Sequence, residues 1–479
     1  MMKRTLALLL SACLATAGMA DGLPELGDSS AGDLSPQAEQ RLGEQIMRDI
    51  RWHDRSYLDD PETEAYLNAL GERIVQGSGS KGSFHFFALR EPTINAFALP
   101  GGFIGVHTLL IETAQTESEL ASVLGHEVGH VQQHHIARMI GKRSQSSLIM
   151  LASVLVAVLA AKSSDQLAQA AVAGGAAAGM QTQLAYSRDF EREADRIGLQ
   201  SLEAAGFDVR GMPHFFERLQ RESRLYENNA PAYLRTHPLT TDRIADMENR
   251  VASMRFRQVP SSEDFLLIQA RLVSSEGVAR DTLAREKDLF TRAKTPTPGQ
   301  RYAYVNALMR AGELDEAQRI YDGFSASDDN PLITALGGEL ATARKQWDVA
   351  DSLLSAAMKR HPEAEYLVYR LADARLQAGR AKSAIDLLDT ALKERRQDVQ
   401  LWSRLAQAYQ MSGRTGEYHR AQGEVYAKQG LWAAAVEQLE LAQRSTHGDF
   451  YTQSSIDARL RELRARADEE RELARRDGG

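Results

Sequence analysis

At 479 residues the chain is about three times the length of an ordinary domain, so two or three domains are expected. Hydrophobic residues at 43% and charged residues at 25% exclude disorder and a polytopic membrane protein, and a formal charge of −8 disfavours a nucleic-acid binder. A single cysteine excludes a disulfide framework and any cysteine-built metal site within one chain, while abundant Ala, Leu, Arg and Glu with only 7% aromatics point to helices.

Residues 1–20 have the layout of a signal peptide: Lys3 and Arg4, an apolar run from Leu6 to Leu14, then Gly18-Met19-Ala20 before Asp21. The expected mature chain starts at Asp21 and leaves the cytosol. An alternative is lipoprotein processing, because Leu10-Ser11-Ala12-Cys13 resembles a lipobox and would acylate Cys13. Further on, Phe84 to Val106 alternates and is β-prone, with Pro100-Gly101-Gly102 as a turn, which predicts a hairpin.

Thr116 followed by Glu119 makes a capping box ahead of Leu120, Val123 and Leu124, predicting a helix. On it stands His126-Glu127-Val128-Gly129-His130. A helix puts the two histidines one turn apart on one face, where both imidazoles can reach one Zn²⁺. Glu127 is offset by about 100° around the axis, near the metal but not on it, where it can take a proton from the attacking water. Hydrolytic zinc also needs a third protein ligand. His134 continues the stripe, but Gln133 and Ile136 stand where an extended HEXXHxxGxxH site has Gly and His, so the ligand is expected from elsewhere.

Two apolar, small-residue runs follow, Leu148 to Ala161 and Leu167 to Met180, each shorter than the ~18 residues of a spanning helix. They read as a pair of buried helices. Their position between two ligand-bearing helices allows the alternative of a lid that gates the cleft, or a peripheral membrane contact over Leu148–Met180.

The candidate third ligand is Glu191, in Phe190-Glu191-Arg192-Glu193-Ala194-Asp195. Glu191 and Asp195 are four apart and share one face of a second helix that Gly206 could end. Asp195 can accept the other N–H of a ligand histidine. Ala194 and Gly198 leave room for two helices to pack closely. Alone, such an acidic helix reads as a solvated face; beside an HEXXH helix the metal reading prevails.

Four strings then combine: Asn95-Ala96-Phe97-Ala98-Leu99-Pro100-Gly101-Gly102, the Val123 to His130 helix, the Glu191 to Asp195 segment, and Thr236-His237-Pro238-Leu239 with Arg243 beyond it. Together they resemble the HEXXH…EXXXD zinc metallopeptidases, the superfamily of HtpX and the CAAX prenyl protease. The likeness is greatest to the exported branch with C-terminal tetratricopeptide repeats. The resemblance implies a mainly α chain with a zincin-like α+β metallopeptidase domain, containing a small β-hairpin or sheet. It implies one zinc per chain on His126, His130 and Glu191, with Glu127 as general base. A residue near the metal is also implied from the segment after the ligand helix. His237 is the candidate, as a donor to the oxyanion or as a competitor of the catalytic water. His237-Pro238 reads equally as a helix-capping turn. Arg243 would orient Asp195 or bind a substrate carbonyl, and a free strand edge beside the zinc would hold an extended peptide. The resemblance further implies a periplasmic place, misassembled outer-membrane proteins as substrates and the barrel-assembly machinery as partner. The second reading is an assembly chaperone or scaffold with latent peptidase activity.

Past residue 260 the pattern is repetitive and helical. Gly312 with Ala317 and Tyr321, Lys345 with Ala350 and Leu354, and Gly379 with Ala384 and Leu388 recur at steps of 33 and 34, the tetratricopeptide period. Gly413 keeps the step, but Tyr418 takes the Ala position, and Gly430, Ala435, Leu439 and Ala442 resume out of phase. The charged stretch from Asp457 to Asp477 reads as a solvated helical cap, and His361, His419 and His447 as surface residues. The division is therefore a signal over 1–20, a metallopeptidase domain over 21–259 and an all-α repeat solenoid over 260–479, with the boundary at Val259-Pro260-Ser261-Ser262.

Overall fold

The computed structural model describes residues 35–140, 187–225, 232–255, 257–324, 329–445 and 450–477. The leader with Cys13, the apolar segment 148–180 and His447 lie outside the described residues.

Helices α1 (Pro36–His53) and α2 (Pro61–Ser78) each begin with proline behind a side-chain cap, Ser35 and Asp60. Strands β1 (His85–Leu89), β2 (Ala96–Ala98) and β3 (Phe103–His107) follow. The expected hairpin is β2–β3, turned by Pro100–Gly102, but β1 joins it in parallel on the other side of β3, giving the order β1-β3-β2. Successive β1 side chains go to opposite faces. Phe86 and Ala88 join the main core with Leu67, Leu70 and Ile74 of α2, whereas Phe87 and Leu89 pack on Ile46, Met47 and Ile50 of α1. Both faces of the sheet are thus covered.

Next come α3 (Thr108–Thr113), α4 (Glu117–Gln132), α5 (His135–Ile140), α6 (Arg188–Ala205), α7 (Gly211–Leu225), α8 (Ala232–Thr236) and α9 (Thr241–Ser253). The cap of α4 is a variant of the expected box. Thr116 Oγ1 accepts the Glu119 N–H, but the Glu119 carboxylate reaches the Gln115 N–H instead of that of Thr116. α4 and α6 cross at small residues: a Cβ on Gly129 would lie 3.0 Å from the Cα and the carbonyl oxygen of Ala194. That close approach brings the two helices' polar faces within reach of one ion.

The remaining helices are α10 (Glu263–Ser275), α11 (Ala279–Arg292), α12 (Pro298–Ala311), α13 (Leu314–Tyr321), α14 (Pro331–Ala343), α15 (Trp347–Arg360), α16 (Tyr366–Gln377), α17 (Ala381–Glu394), α18 (Val399–Met411), α19 (Thr415–Gln429), α20 (Trp432–Ser445) and α21 (Phe450–Asp477). The hairpin turns sit where the period places them, at Gly312, Lys345, Gly379 and Gly413, all in the left-handed region; Lys345 holds φ 59° without glycine's freedom. At the out-of-phase end α19 and α20 meet through Gly423, which faces Leu439 and the Ala435 carbonyl.

Two expectations need correction. The last helix is not wholly solvated: Ile456, Leu460 and Leu463 form a buried stripe against Ala435, Leu439 and Ala442 of α20, and Ala467 further along is buried as well. His361 and His419 are half-buried: His361, just after α15, meets Asp329 ahead of α14, and His419 of α19 meets Gln438 of α20. Among the described residues no helix is long and apolar enough to cross a membrane. The main core runs without a break from Leu67 and Phe86 through Phe265 and Ile268 of α10 to Leu336, Leu354 and Leu371 in the repeats.

Candidate metal centre

α4 carries His126, Glu127 and His130, all buried, toward α6 and the edge of β2. The Nε2 atoms of His126 and His130 face each other at 3.0 Å. From α6, Glu191 stands 3.5 Å from His126 Nε2 and 3.4 Å from His130 Nε2. His237 directly follows α8, and its Nδ1 is 3.2 Å from Glu191 Oε1 and 3.3 Å from His126 Nε2. One ligand atom from each of His126, His130, Glu191 and His237 falls within 4.8 Å of the others.

The second layer is as ordered as the first. His126 Nδ1 lies 2.9 Å from Asp195 Oδ1, so its Nε2 is the atom turned to the cluster. Arg243, 1% exposed, grips Asp195 through Nε at 2.8 Å and Nη2 at 2.7 Å, reaches Glu191 Oε2 at 2.6 Å and donates to the Pro238 carbonyl at 2.9 Å. α8 is anchored by the Tyr233 N–H donating to the Ile94 carbonyl, and the Tyr233 ring stacks on His237 with centroids 4.5 Å apart.

Charge is distributed unevenly. Burial opposes ionisation of both Glu191 and Asp195, yet histidines hold Glu191 well below the usual carboxylate range, and His126 with Arg243 holds Asp195 low. Glu127 behaves oppositely: burial raises its proton affinity despite His237 and His126 nearby. Neither Glu127 oxygen has a side-chain hydrogen-bond partner, and His237 Nε2 is 3.6 Å from Oε1. Buried carboxylate oxygens ordinarily find donors. A buried carboxylate without a side-chain partner beside a convergent nitrogen and oxygen set fits a site built for a cation and a water molecule.

β2 runs beside this carboxylate. The Leu99 N–H donates to the Phe103 carbonyl and the His107 N–H to the Asn95 carbonyl. Residues 95, 97 and 99 therefore face β3, and Ala96 and Ala98 turn their backbone groups to the outer edge, where Ala98 N–H bears on Glu127. His134, on the sequence stripe with His126 and His130, leaves the helix at φ 50° and meets Glu39 at 3.3 Å instead. Sequence reasoning missed His135, Glu193 and Tyr233, which surround the cluster; only the position of His135 close behind the motif hinted at it.

A buried His/His/Glu cluster with an adjacent glutamate on an HEXXH helix defines a metallopeptidase. Residues 61–251 match peptidase family M48, and residues 341–409 match a tetratricopeptide repeat family. The chain is 34% identical over 458 residues to the Beta-barrel assembly-enhancing protease of Escherichia coli strain K12, covering 94% of this chain and 93% of that protein. It is 31% identical over 450 residues to the protein of the same name from Yersinia pestis, covering 93% and 92%. A Mitochondrial metalloendopeptidase OMA1 of Arabidopsis thaliana shares 31% identity over 223 residues, 46% of this chain and 43% of that one. The chain belongs to peptidase family M48 and is a zinc metalloendopeptidase with a tetratricopeptide-repeat region.

Proposed function

We propose that His126, His130 and Glu191 hold the zinc and that Glu127 is the general base of an exported endopeptidase. Its substrates in this reading are misassembled outer-membrane proteins, met together with the barrel-assembly machinery. The observation that carries the site is the convergence of four ligand atoms within 4.8 Å beside the buried Glu127. The zinc, when bound, acidifies the attacking water and polarises the scissile carbonyl. Glu127 takes the proton of that water and returns it to the leaving amide nitrogen. The backbone groups that Ala96 and Ala98 turn outward from β2 would hold an extended substrate once the site opens, both residues being buried in this conformation.

Asp195, itself held by Arg243, orients His126. The direction of His237 Nδ1 into the cluster supports its role as a competitor of the attacking water in this conformation. Rotated outward, the same ring is available to donate to the oxyanion.

The chain divides in this reading into a leader over 1–20, a peptidase over 21–259 and a repeat array over 260–479. Ser262, the cap of α10, supports that boundary. The printed name of the Escherichia coli and Yersinia pestis relatives supports the substrate and partner, and the repeat array supports recognition of a protein surface. The place of action is the periplasm, with acylation at Cys13 as the alternative and residues 148–180 as the segment for a peripheral membrane contact. Mass spectrometry of the mature amino terminus separates free from acylated chains.

Glu127→Gln tests the enzymatic reading. It is expected to keep its zinc, lose peptide cleavage and fail to restore envelope assembly in cells lacking the wild-type chain. Full restoration without cleavage would give the case to the scaffold reading.

A further inference from the structure

Behind the ligand histidines lies a set of contacts that the reaction does not use. After α4 ends at Gln132, the left-handed residue His134 reverses the chain, and α5 begins at His135. The reversal returns the fully buried His135 to His130, with their Nδ1 atoms 2.9 Å apart. The other His135 nitrogen, Nε2, is 3.1 Å from Glu193 Oε2. Arg138 donates to the same oxygen at 3.0 Å. The His135 ring lies flat on Phe190, centroids 4.3 Å apart and planes within 8°, so its orientation is fixed.

We propose that His135 and Glu193 are positioning residues forming a relay that sets the tautomer and orientation of His130. The inference rests on the reading that His130 ligates zinc through Nε2. Its one ring proton is then on Nδ1, so His135 Nδ1 must accept, and the proton of His135 stands on Nε2, where Glu193 accepts it. One arrangement of protons satisfies the whole chain of contacts. The two ligand histidines thus draw on the same helix in different ways: Asp195 meets His126 directly, and Glu193 acts on His130 through an imidazole. Glu193 stands two residues before Asp195, roughly 200° around α6, so it does not share the face that Asp195 turns to the cluster. His135 bridges the gap between the two faces.

The test is zinc affinity of the full chain by chelator competition, with the metal-free melting temperature measured in parallel. His135→Phe keeps an aromatic ring on Phe190 but cannot accept the proton, and it is expected to weaken zinc binding ~10–100-fold. His135→Asn, whose carbonyl can stand in for Nδ1, is expected to recover most of that loss, which a purely structural role for the ring would not produce. Glu193→Ala, at a partly exposed position, covers the case in which the Phe variant fails to fold; a several-fold weaker affinity at an unchanged metal-free melting temperature is expected. Wild-type affinity in His135→Phe or Glu193→Ala would overturn the relay, as would an Asn variant no better than the Phe variant. Undiminished zinc binding by His130→Ala would overturn the ligand assignment and the relay with it.

Discussion

Arg370, in the repeat array, closes on Glu62 at the start of α2 across 308 residues of sequence, Nε and Nη2 each 2.5 Å from a carboxylate oxygen. Glu62 is fully buried, and Arg271 of α10 reaches it as well as Asp60 and, like Arg370, Glu339. The repeats are thereby latched to the helix that supports the sheet. Removing Glu62 leaves Arg370 and Arg271 donors without their buried acceptor, so Glu62→Ala is expected to cost about 1–3 kcal/mol. Urea unfolding measures it, and Glu62→Ala combined with Arg370→Ala should cost clearly less than the two single changes summed. Additive losses would mean the latch is not energetically coupled.

Glu127→Gln should lower peptide turnover by about 10²–10⁴-fold, since it removes the proton acceptor and leaves the proposed ligands in place. Turnover of a fluorogenic peptide and metal content by atomic emission are the paired readouts. Loss of zinc together with activity would reassign Glu127 to metal binding.

Asp195→Asn is expected to weaken zinc binding ~10–100-fold, because the carboxylate that faces His126 Nδ1 is replaced by a neutral amide. Arg243→Lys should shift affinity in the same direction, a lysine being unable to grip both Asp195 oxygens while reaching Glu191. Chelator competition at neutral pH decides both, and unaltered affinity would show that this layer does not tune the site.

Glu112 of α3 is pushed up to about 7 by burial, then by the nearby Glu276 that follows α10. The folded chain therefore holds a proton that the unfolded chain has released between its ordinary value of 4.5 and about 7, so this group's contribution to stability falls as pH rises through that window. Thermal melts of Glu112→Gln against wild type should show the variant gaining relative stability from about pH 5 to about pH 8. A gap independent of pH would refute the linkage.

The helix faces of the centre were legible in the sequence because helical periodicity is local. His126 and His130 share a face by being four apart, as do Glu191 and Asp195, and small residues at 194 and 198 signal that two such helices can touch. The repeat turns were legible for the same reason, since each is a short-range event with a fixed spacing. β1 was not placed by its pattern, because alternation states which residues share a face and not which strand is the neighbour. The stripe that docks α21 on α20 was obscured by the charges interleaved with it.

By itself the sequence determined the local chemistry of this chain: which side chains stand together on one helix and where each repeat turns. Only the tertiary structure decided what meets across elements. It turned His134 away and His135 back to His130, aimed His237 into the cluster, set Arg243 on Asp195 and folded the repeats against α2 through Arg370 and Glu62. Those contacts depend on how separate elements pack, and packing is settled by the shared buried core rather than by any residue's neighbours along the chain.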